Sequence, residues 1–273
     1  DRAEAPQVAG RGDGALTMNA ETTVIAFENV TKRFNGSTAV DRLSFTVARG
    51  EVLALLGRTG AGKSTVMNLL MGAIAPDEGR IRVSGVDPYV EFKRLRGKIG
   101  VAFQTDRLLP WRTAEENVAL GLIILGRPKA EAHEAARRWL ARVKLADATK
   151  KYVHELSGGM RQRAALARAL AVDPDLVLLD ESFSQLDPVT SKELRADFSA
   201  VVRQFGKTCV FVTHRIEDAL EMADRVLVLA APARVCLEAR IGAAERADPA
   251  RMAELHRAIE NAIGADPAGH DAP

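Results

Sequence analysis

Cysteine is scarce in this chain. Cys209 and Cys236 are its two cysteines in 273 residues, and they form neither a metal-ligand spacing nor a set of bridges. A disulfide-stapled secreted module is therefore excluded, and a reducing compartment fits best. Charge of one sign is not in excess either. Thirty-eight Lys and Arg against 36 Asp and Glu leave a formal net charge of +2. Binding to nucleic-acid phosphates calls for a strong basic excess or stripe, so no nucleic-acid partner is expected. Long apolar runs are missing as well. The best candidate, Val118 to Leu125, is far short of the roughly 18 residues of a membrane span and reads as part of a buried helix. Residues 1–21 lack the apolar core of a secretory signal and read as a flexible leader. Any membrane contact is therefore expected to run through a partner protein.

The composition that is present is that of a globular chain, with 47% hydrophobic and 27% charged residues. Short β-type runs, Val24–Val30, Leu43–Val47, Val52–Leu56 and Ile81–Val83, are punctuated by Asn35-Gly36 and Arg49-Gly50. Ile99–Phe103 reads as a further strand. From Thr113 to about Tyr152 the pattern turns helical, with Leu120, Leu122, Trp139, Leu140 and Val143 as apolar anchors. Strand–helix alternation then returns. Leu176–Leu179, Cys209–Val212 and Val226–Leu229 read as strands, and Lys192–Phe205 and Glu217–Ala223 as helices. The all-apolar run Leu176–Leu179 suits the centre of a parallel sheet. The expectation is an α/β chain: a main domain over residues 22–244, a helical subdomain inserted at about 105–160, and a short charged helix and tail over 245–273.

Three motifs carry chemistry. Gly57-Arg58-Thr59-Gly60-Ala61-Gly62-Lys63-Ser64-Thr65 matches G-x-x-x-x-G-K-[ST], between an apolar strand and a helical pattern. Glycines let the backbone curl so that successive N–H groups face one anion, and the helix N-terminus adds partial positive charge. Lys63 offers a point charge for β- and γ-phosphates, and Ser64 a hydroxyl for Mg²⁺. Second, Leu176–Asp180-Glu181 is an apolar strand ending in two carboxylates, one suited to Mg²⁺ and the other to a water. Alone it is a weak signal; beside the phosphate loop it is a strong one. Third, Leu156-Ser157-Gly158-Gly159-Met160 opens a helix as a second anion-binding geometry, although taken alone it reads as a plain capped helix start.

These motifs, in this order, resemble the ATP-binding cassette (ABC) ATPase family over about residues 24 to 230. Phe34 stands where the family stacks an aromatic on adenine, and Gln104 where it has the Q-loop glutamine. Ser184-Gln185-Leu186-Asp187 looks like the D-loop and His214 like the switch histidine. Leu108-Leu109-Pro110-Trp111-Arg112-Thr113 followed by Glu116-Asn117-Val118, with His154–Arg163, looks like the nitrate/sulfonate/taurine branch of importers. Departures are Ser182 for the usual Pro, Met160 for Gln, Gln185 for Ala, and Arg215 where an acidic residue is common.

The resemblance implies a P-loop NTPase fold with an N-terminal antiparallel β subdomain and an inserted helical subdomain. It implies Mg²⁺-dependent ATP hydrolysis, with Glu181, His214 and Gln104 catalytic and with Ser64, Gln104 and Asp180 toward the metal. Residues 57–65, Phe34, Ser157, Gly158, Gly159 and Asp187 would bind ATP. Ser157 and the glycines would act across a head-to-tail dimer with a second copy. A transmembrane permease would dock beside Gln104 at Leu109, Trp111 and Arg112, with a solute-binding protein as an indirect partner. The subunit would then sit peripherally on the cytoplasmic face of the inner membrane. Trp111 reads either as that docking anchor or as a residue packed inside the helical insertion. Arg161 and Arg168 share one helix face and read as support for the fold. The implied function is the ATPase subunit of an importer for a small anionic or sulfur-containing solute. The alternatives are a lipid-trafficking or export ATPase, and a soluble non-transport ABC ATPase.

Overall fold

The structure is a computed structural model that describes residues 22–183 and 187–265. The expected leader, D-loop residues Ser184, Gln185 and Leu186, and the last eight residues of the tail lie outside the described residues. The core is two sheets. Strands β1 (Thr23–Phe34), β2 (Ser37–Ala48) and β4 (Glu78–Val83) form an antiparallel sheet in the order β2-β1-β4. Asn35-Gly36 turns the β1–β2 hairpin with both residues at positive φ, the backbone a two-residue turn needs. Phe27 and Phe45 stand opposite in register and stack at 4.6 Å between ring centres.

The second sheet has the order β5-β6-β7-β3-β8-β9. Its members are β3 (Val52–Leu56), β5 (Ile99–Ala102), β6 (Leu176–Asp180), β7 (Thr208–Thr213), β8 (Arg225–Ala230) and β9 (Arg234–Arg240). The first five strands run parallel and β9 pairs antiparallel with β8. Side chains of β3 show how both faces are covered. Leu53 and Leu55 pack toward the antiparallel sheet and α1 (Lys63–Leu70), whereas Val52, Ala54 and Leu56 pack toward the other helices. Because β6, β7 and β3 are neighbours, their carboxyl ends bring residues 180, 213 and 57 onto one edge of the sheet.

The helices are α2 (Ala114–Ile124), α3 (Lys129–Arg142), α4 (Gly158–Ala171), α5 (Pro188–Gln204), α6 (Ile216–Met222), α7 (Ala243–Ala247) and α8 (Pro249–Gly264). Helix α2 starts in a capping box: Thr113 Oγ1 accepts from Glu116 N–H, and Glu116 Oε2 from Thr113 N–H. Three features differ from the sequence expectation. The helical stretch 113–152 is broken at Gly126-Arg127-Pro128, where φ is +87° at the glycine and proline denies a donor. Strand β9 is not among the expected strands, although Val235, Leu237 and Ala239 alternate with Arg234, Cys236 and Glu238. After residue 242 there are two helices rather than one, and α8 docks through buried Ile259.

Leu178 lies at the middle of β6 with no exposed surface. Leu178→Ala is expected to lower unfolding stability by about 2–5 kcal/mol, the usual range for a buried leucine. A lowered urea midpoint with an unchanged slope is the measurement that checks it.

Candidate functional site

The phosphate loop leaves β3 between two close neighbours. A Cβ on Gly57 would meet the Leu229 carbonyl oxygen at 2.5 Å. Gly62, at φ +80°, would press a Cβ to within 2.5 Å of the Ala39 carbonyl oxygen and 2.7 Å of Ala233 Cβ. Helix α1 then begins with no side-chain cap at Gly62. The amides of Lys63, Ser64 and Thr65, in its first turn, have no helical acceptor and are left for a ligand. Lys63 is buried, and its ammonium donates to the Gly57 and Arg58 carbonyls, both at 2.8 Å. Burial pushes its pKa down, and the charges of Glu181 and Asp180 pull it back up.

Asp180 ends β6. Burial raises its carboxyl pKa first, the neighbouring Glu181 raises it further, and Arg107 and Lys63 oppose both. Glu181 comes next with φ +45°, a left-handed conformation that non-glycine residues rarely hold outside functional sites. Its N–H donates to Val212 O at 3.1 Å, which ties the turn to β7. Its Oε2 then lies 3.5 Å from His214 Nδ1 and accepts from Gln104 Nε2 at 3.4 Å. Glu181, His214 and Gln104, expected from separate motifs, thus meet at one oxygen atom.

Uncapped amides around a buried ammonium fit an anion. The Ser64 hydroxyl and the Asp180 carboxylate are hard oxygen donors, the kind a Mg²⁺ ion prefers. The residues present therefore fit a nucleoside triphosphate and Mg²⁺. Phe34 ends β1 with 45% of its surface exposed, free to stack, and Lys32 Nζ lies 5.4 Å from its ring centre. Ser157 caps α4: its Oγ accepts from Met160 N–H at 3.3 Å, and Gly158 and Gly159 form the first turn. Asp187 caps α5 through Thr190 N–H, and that bond holds its carboxyl below the usual range. A Cβ on Gly159 would touch Thr190 Cγ2 at 2.7 Å, so the starts of α4 and α5 adjoin. The hydrogen bonds of Ser157 and Asp187 stay within the first turns of their own helices.

Several residues outside the motifs shape the loop that carries Gln104. Arg168 donates to both the Arg107 and Asp106 carbonyls at 2.6 Å, and Arg161 Nε reaches Asp106 Oδ2 at 3.2 Å. Gln162 donates to Phe103 O at 3.3 Å. Ser182, in place of the more usual proline, donates its hydroxyl to Ala102 O at 3.0 Å. Arg107 stacks on Phe103 with 3.7 Å from Cζ to the ring centre. The i, i+7 spacing of Arg161 and Arg168 marks one helix face; what that face holds is visible only in three dimensions. Trp111 is 70% exposed, which excludes the reading in which it packs inside the helical insertion.

Asp180 yields a prediction with a definite sign. An acid whose folded-state pKa is raised costs stability while ionised, and the penalty is relieved as pH falls through the raised value. Asp180→Asn is expected to raise the melting temperature of the nucleotide-free protein at pH 7, with the gain shrinking as pH falls through the Asp180 titration. Thermal unfolding of both proteins from pH 7 to 4 checks this; an unchanged or lowered melting temperature at pH 7 contradicts it.

Known proteins resemble this chain in sequence and fold. The ABC transporter family model matches residues 40–184. The taurine import ATP-binding protein TauB of Pseudomonas aeruginosa is 42% identical over 219 residues, covering 80% of this chain and 81% of that protein. The methionine import ATP-binding protein MetN 2 of Rhodococcus jostii is 41% identical over 217 residues, covering 77% of this chain and 64% of its own length. The chain spans 57 to 64% of the length of the methionine- and putrescine-import relatives that it matches. Among solved structures, an ATP-binding cassette dimer in a post-hydrolysis state with ADP and phosphate superposes with a TM-score of 0.70 at 30% identity, covering 80% of this chain and 99% of that one. With the family model matched over residues 40–184 and a relative 42% identical across most of both chains, this chain belongs to the ABC transporter family.

Proposed function

We propose that this chain is the ATP-hydrolysing subunit of an importer for a small solute. The observation that carries the reading is the convergence of Gln104 and His214 on Glu181 Oε2, beside a buried Lys63 in an uncapped phosphate loop. In this reading Lys63 and the first-turn amides of α1 hold the triphosphate, and Phe34 stacks on the base. Ser64, Asp180 and Gln104 would hold Mg²⁺, whose charge would offset that developing on the phosphates. Glu181 orients and deprotonates the attacking water, and His214 faces the terminal phosphate. Phosphoryl transfer depends on positioning and charge more than on covalent help from the protein, and the site is built for that.

Ser157, Gly158, Gly159 and Asp187 are assigned to the site of a second copy placed head to tail. The dimeric state of the solved relative supports this arrangement. Closing such a dimer around ATP couples hydrolysis to a partner's conformation, because ATP favours the closed form. Residues 22–244 constitute the ATPase domain in this reading, with the helical subdomain at about 105–160, and residues 245–273 append to it. The partner is a transmembrane permease that docks where Trp111 stands exposed beside Leu109 and Arg112. Among the described residues no helix is long and apolar enough to cross a membrane. The subunit is assigned to the cytoplasmic face of the membrane on its likeness to import ATP-binding proteins, held there by the permease. The relatives named for taurine and methionine import support an importer, and both names denote sulfur-containing solutes. The solute is selected by the permease and its binding protein, not by this subunit.

Glu181→Gln tests the ATPase reading. Phosphate release is expected to fall by about 10²–10⁴-fold, the contribution of a positioned base, with ATP binding retained. Steady-state release at the wild-type rate refutes the role. Trp111→Ala tests the docking surface. Loss of this exposed ring should weaken co-purification with the permease by at least about tenfold, as for an interface anchor, and leave thermal unfolding unchanged.

A further inference from the structure

We propose that Arg195, a buried residue of α5 outside every motif, is a positioning residue that holds the turn after Glu181 and the loop of His214 in register. The proposal rests on the ATP-hydrolysis reading above. Arg195 is 4% exposed, and its guanidinium branches in two directions. In one, Nη1 donates to Ser191 Oγ at 2.7 Å. The Ser191 hydroxyl in turn donates to the Phe183 carbonyl at 3.2 Å, two residues after Glu181. A serine accepting from the arginine and donating to the carbonyl uses both of its capacities.

In the other direction, Nη1 lies 3.0 Å from Asp218 Oδ1 on α6. That atom is outside hydrogen-bond geometry, so the pairing is by charge. Asp218 Oδ2 accepts from Thr213 Oγ1 at 3.3 Å, and Thr213 Oγ1 accepts from Arg215 N–H at 3.1 Å. Thr213 and Arg215 flank His214. Arg195 Nε also donates to Glu221 Oε2 at 2.8 Å, which fixes α6 by its last turn. One guanidinium thereby ends two chains of contacts, one reaching the segment of Glu181 and the other the segment of His214. Arg215, where an acidic residue is common in the family, puts a second guanidinium 3.6 Å from the same Asp218 oxygen.

The fork geometry matters. Nε and Nη1 leave a rigid plane at set angles and meet partners on two helices at once, whereas a lysine ammonium is a single point. A buried ion pair is weak grounds for stability in itself, but fixing one arrangement among several is a role such pairs are known to serve. Here the arrangement fixed is the 3.5 Å approach of His214 Nδ1 to Glu181 Oε2.

The test uses the full chain with histidines isotopically labelled. Arg195→Lys, Thr213→Val and Ser191→Ala are compared with wild type by ATP titration calorimetry, steady-state hydrolysis and imidazole NMR. Phe34 and the phosphate loop lie on other elements, so the affinity for ATP and KM should stay within about twofold. In Arg195→Lys, kcat should fall about 10- to 100-fold, the scale of a misplacement near 1 Å. The His214 imidazole signals should move in Arg195→Lys and in Thr213→Val, which cuts only the His214 arm. Wild-type kcat with unmoved His214 signals in both variants overturns the proposal, as does a fall in kcat matched by an equal loss of ATP affinity. If Arg195→Lys fails to fold, Thr213→Val and Ser191→Ala decide, since each removes a single hydroxyl. If the wild-type chain hydrolyses no ATP, the ATPase reading fails, and the His214 signals still decide this one.

Discussion

The neighbour order β6-β7-β3 is the constraint on which the rest depends. All three strands end on the same edge of the parallel sheet, and each hands over there to residues of different chemistry. After β3 comes a glycine loop with a buried ammonium, after β6 two carboxylates, and after β7 a histidine. The strands themselves are apolar and inert. Their interior sits between two hydrophobic clusters, which gives the edge rigid footing. Closeness of residues more than a hundred positions apart is thus set by hydrogen-bond pairing within the sheet.

Electrostatics on that edge explains why the site is poised for a ligand. A buried lysine and a partly buried aspartate each have a pKa pushed toward the neutral form, and each is partly rescued by the other's charge. Glu181, next to Asp180, holds a left-handed backbone conformation, and its N–H donates to Val212 of β7. Such strain persists only when the surroundings over-determine it. The surroundings here are the hydrogen bonds running from Ser182 to Ala102 and from Ser191 to Phe183. The proline found more often after the glutamate has no hydroxyl to donate, so this chain joins the Glu181 turn to the Gln104 strand by its own means.

Helix α4 reaches the loop at the same edge. Arg161, Gln162 and Arg168 hold the backbone from Phe103 to Arg107, while Asn117 of α2 both donates to and accepts from Leu109. The loop from Gln104 to Arg112 is therefore gripped by side chains from two helices, with the exposed Trp111 ring at its far end. Arg161 also donates to the Leu156 carbonyl, next to Ser157 at the start of α4. The carbonyls of Phe103, Asp106, Arg107, Leu109 and Arg112 are engaged by Gln162, Arg168 and Asn117.

Much of the fold and of the site is legible in the residues. A G-x-x-x-x-G-K-[ST] loop needs only local backbone geometry to act, because the curl and the helix start are properties of nine consecutive residues. An apolar run ending in Asp180-Glu181 suits a parallel strand, and it marks a functional end only because the phosphate loop stands in the same chain. Strand β9 gives a weaker signal although it alternates, because it pairs at one edge and its outward face is polar and charged. The helix break at Gly126 to Pro128 is carried by local preferences that the surrounding helical pattern masks. What no local pattern could carry is the set of cross-chain contacts: Arg168 on two carbonyls, Arg195 between two helices, and Ser182 on Ala102. Sequence by itself determined the reagents and the strand or helix on which each stands, since those depend on periodicity and on glycine and proline chemistry over a few residues. Tertiary structure alone decided which reagents meet and what holds them there, because contacts between positions 20 to 80 apart depend on how sheet and helices pack.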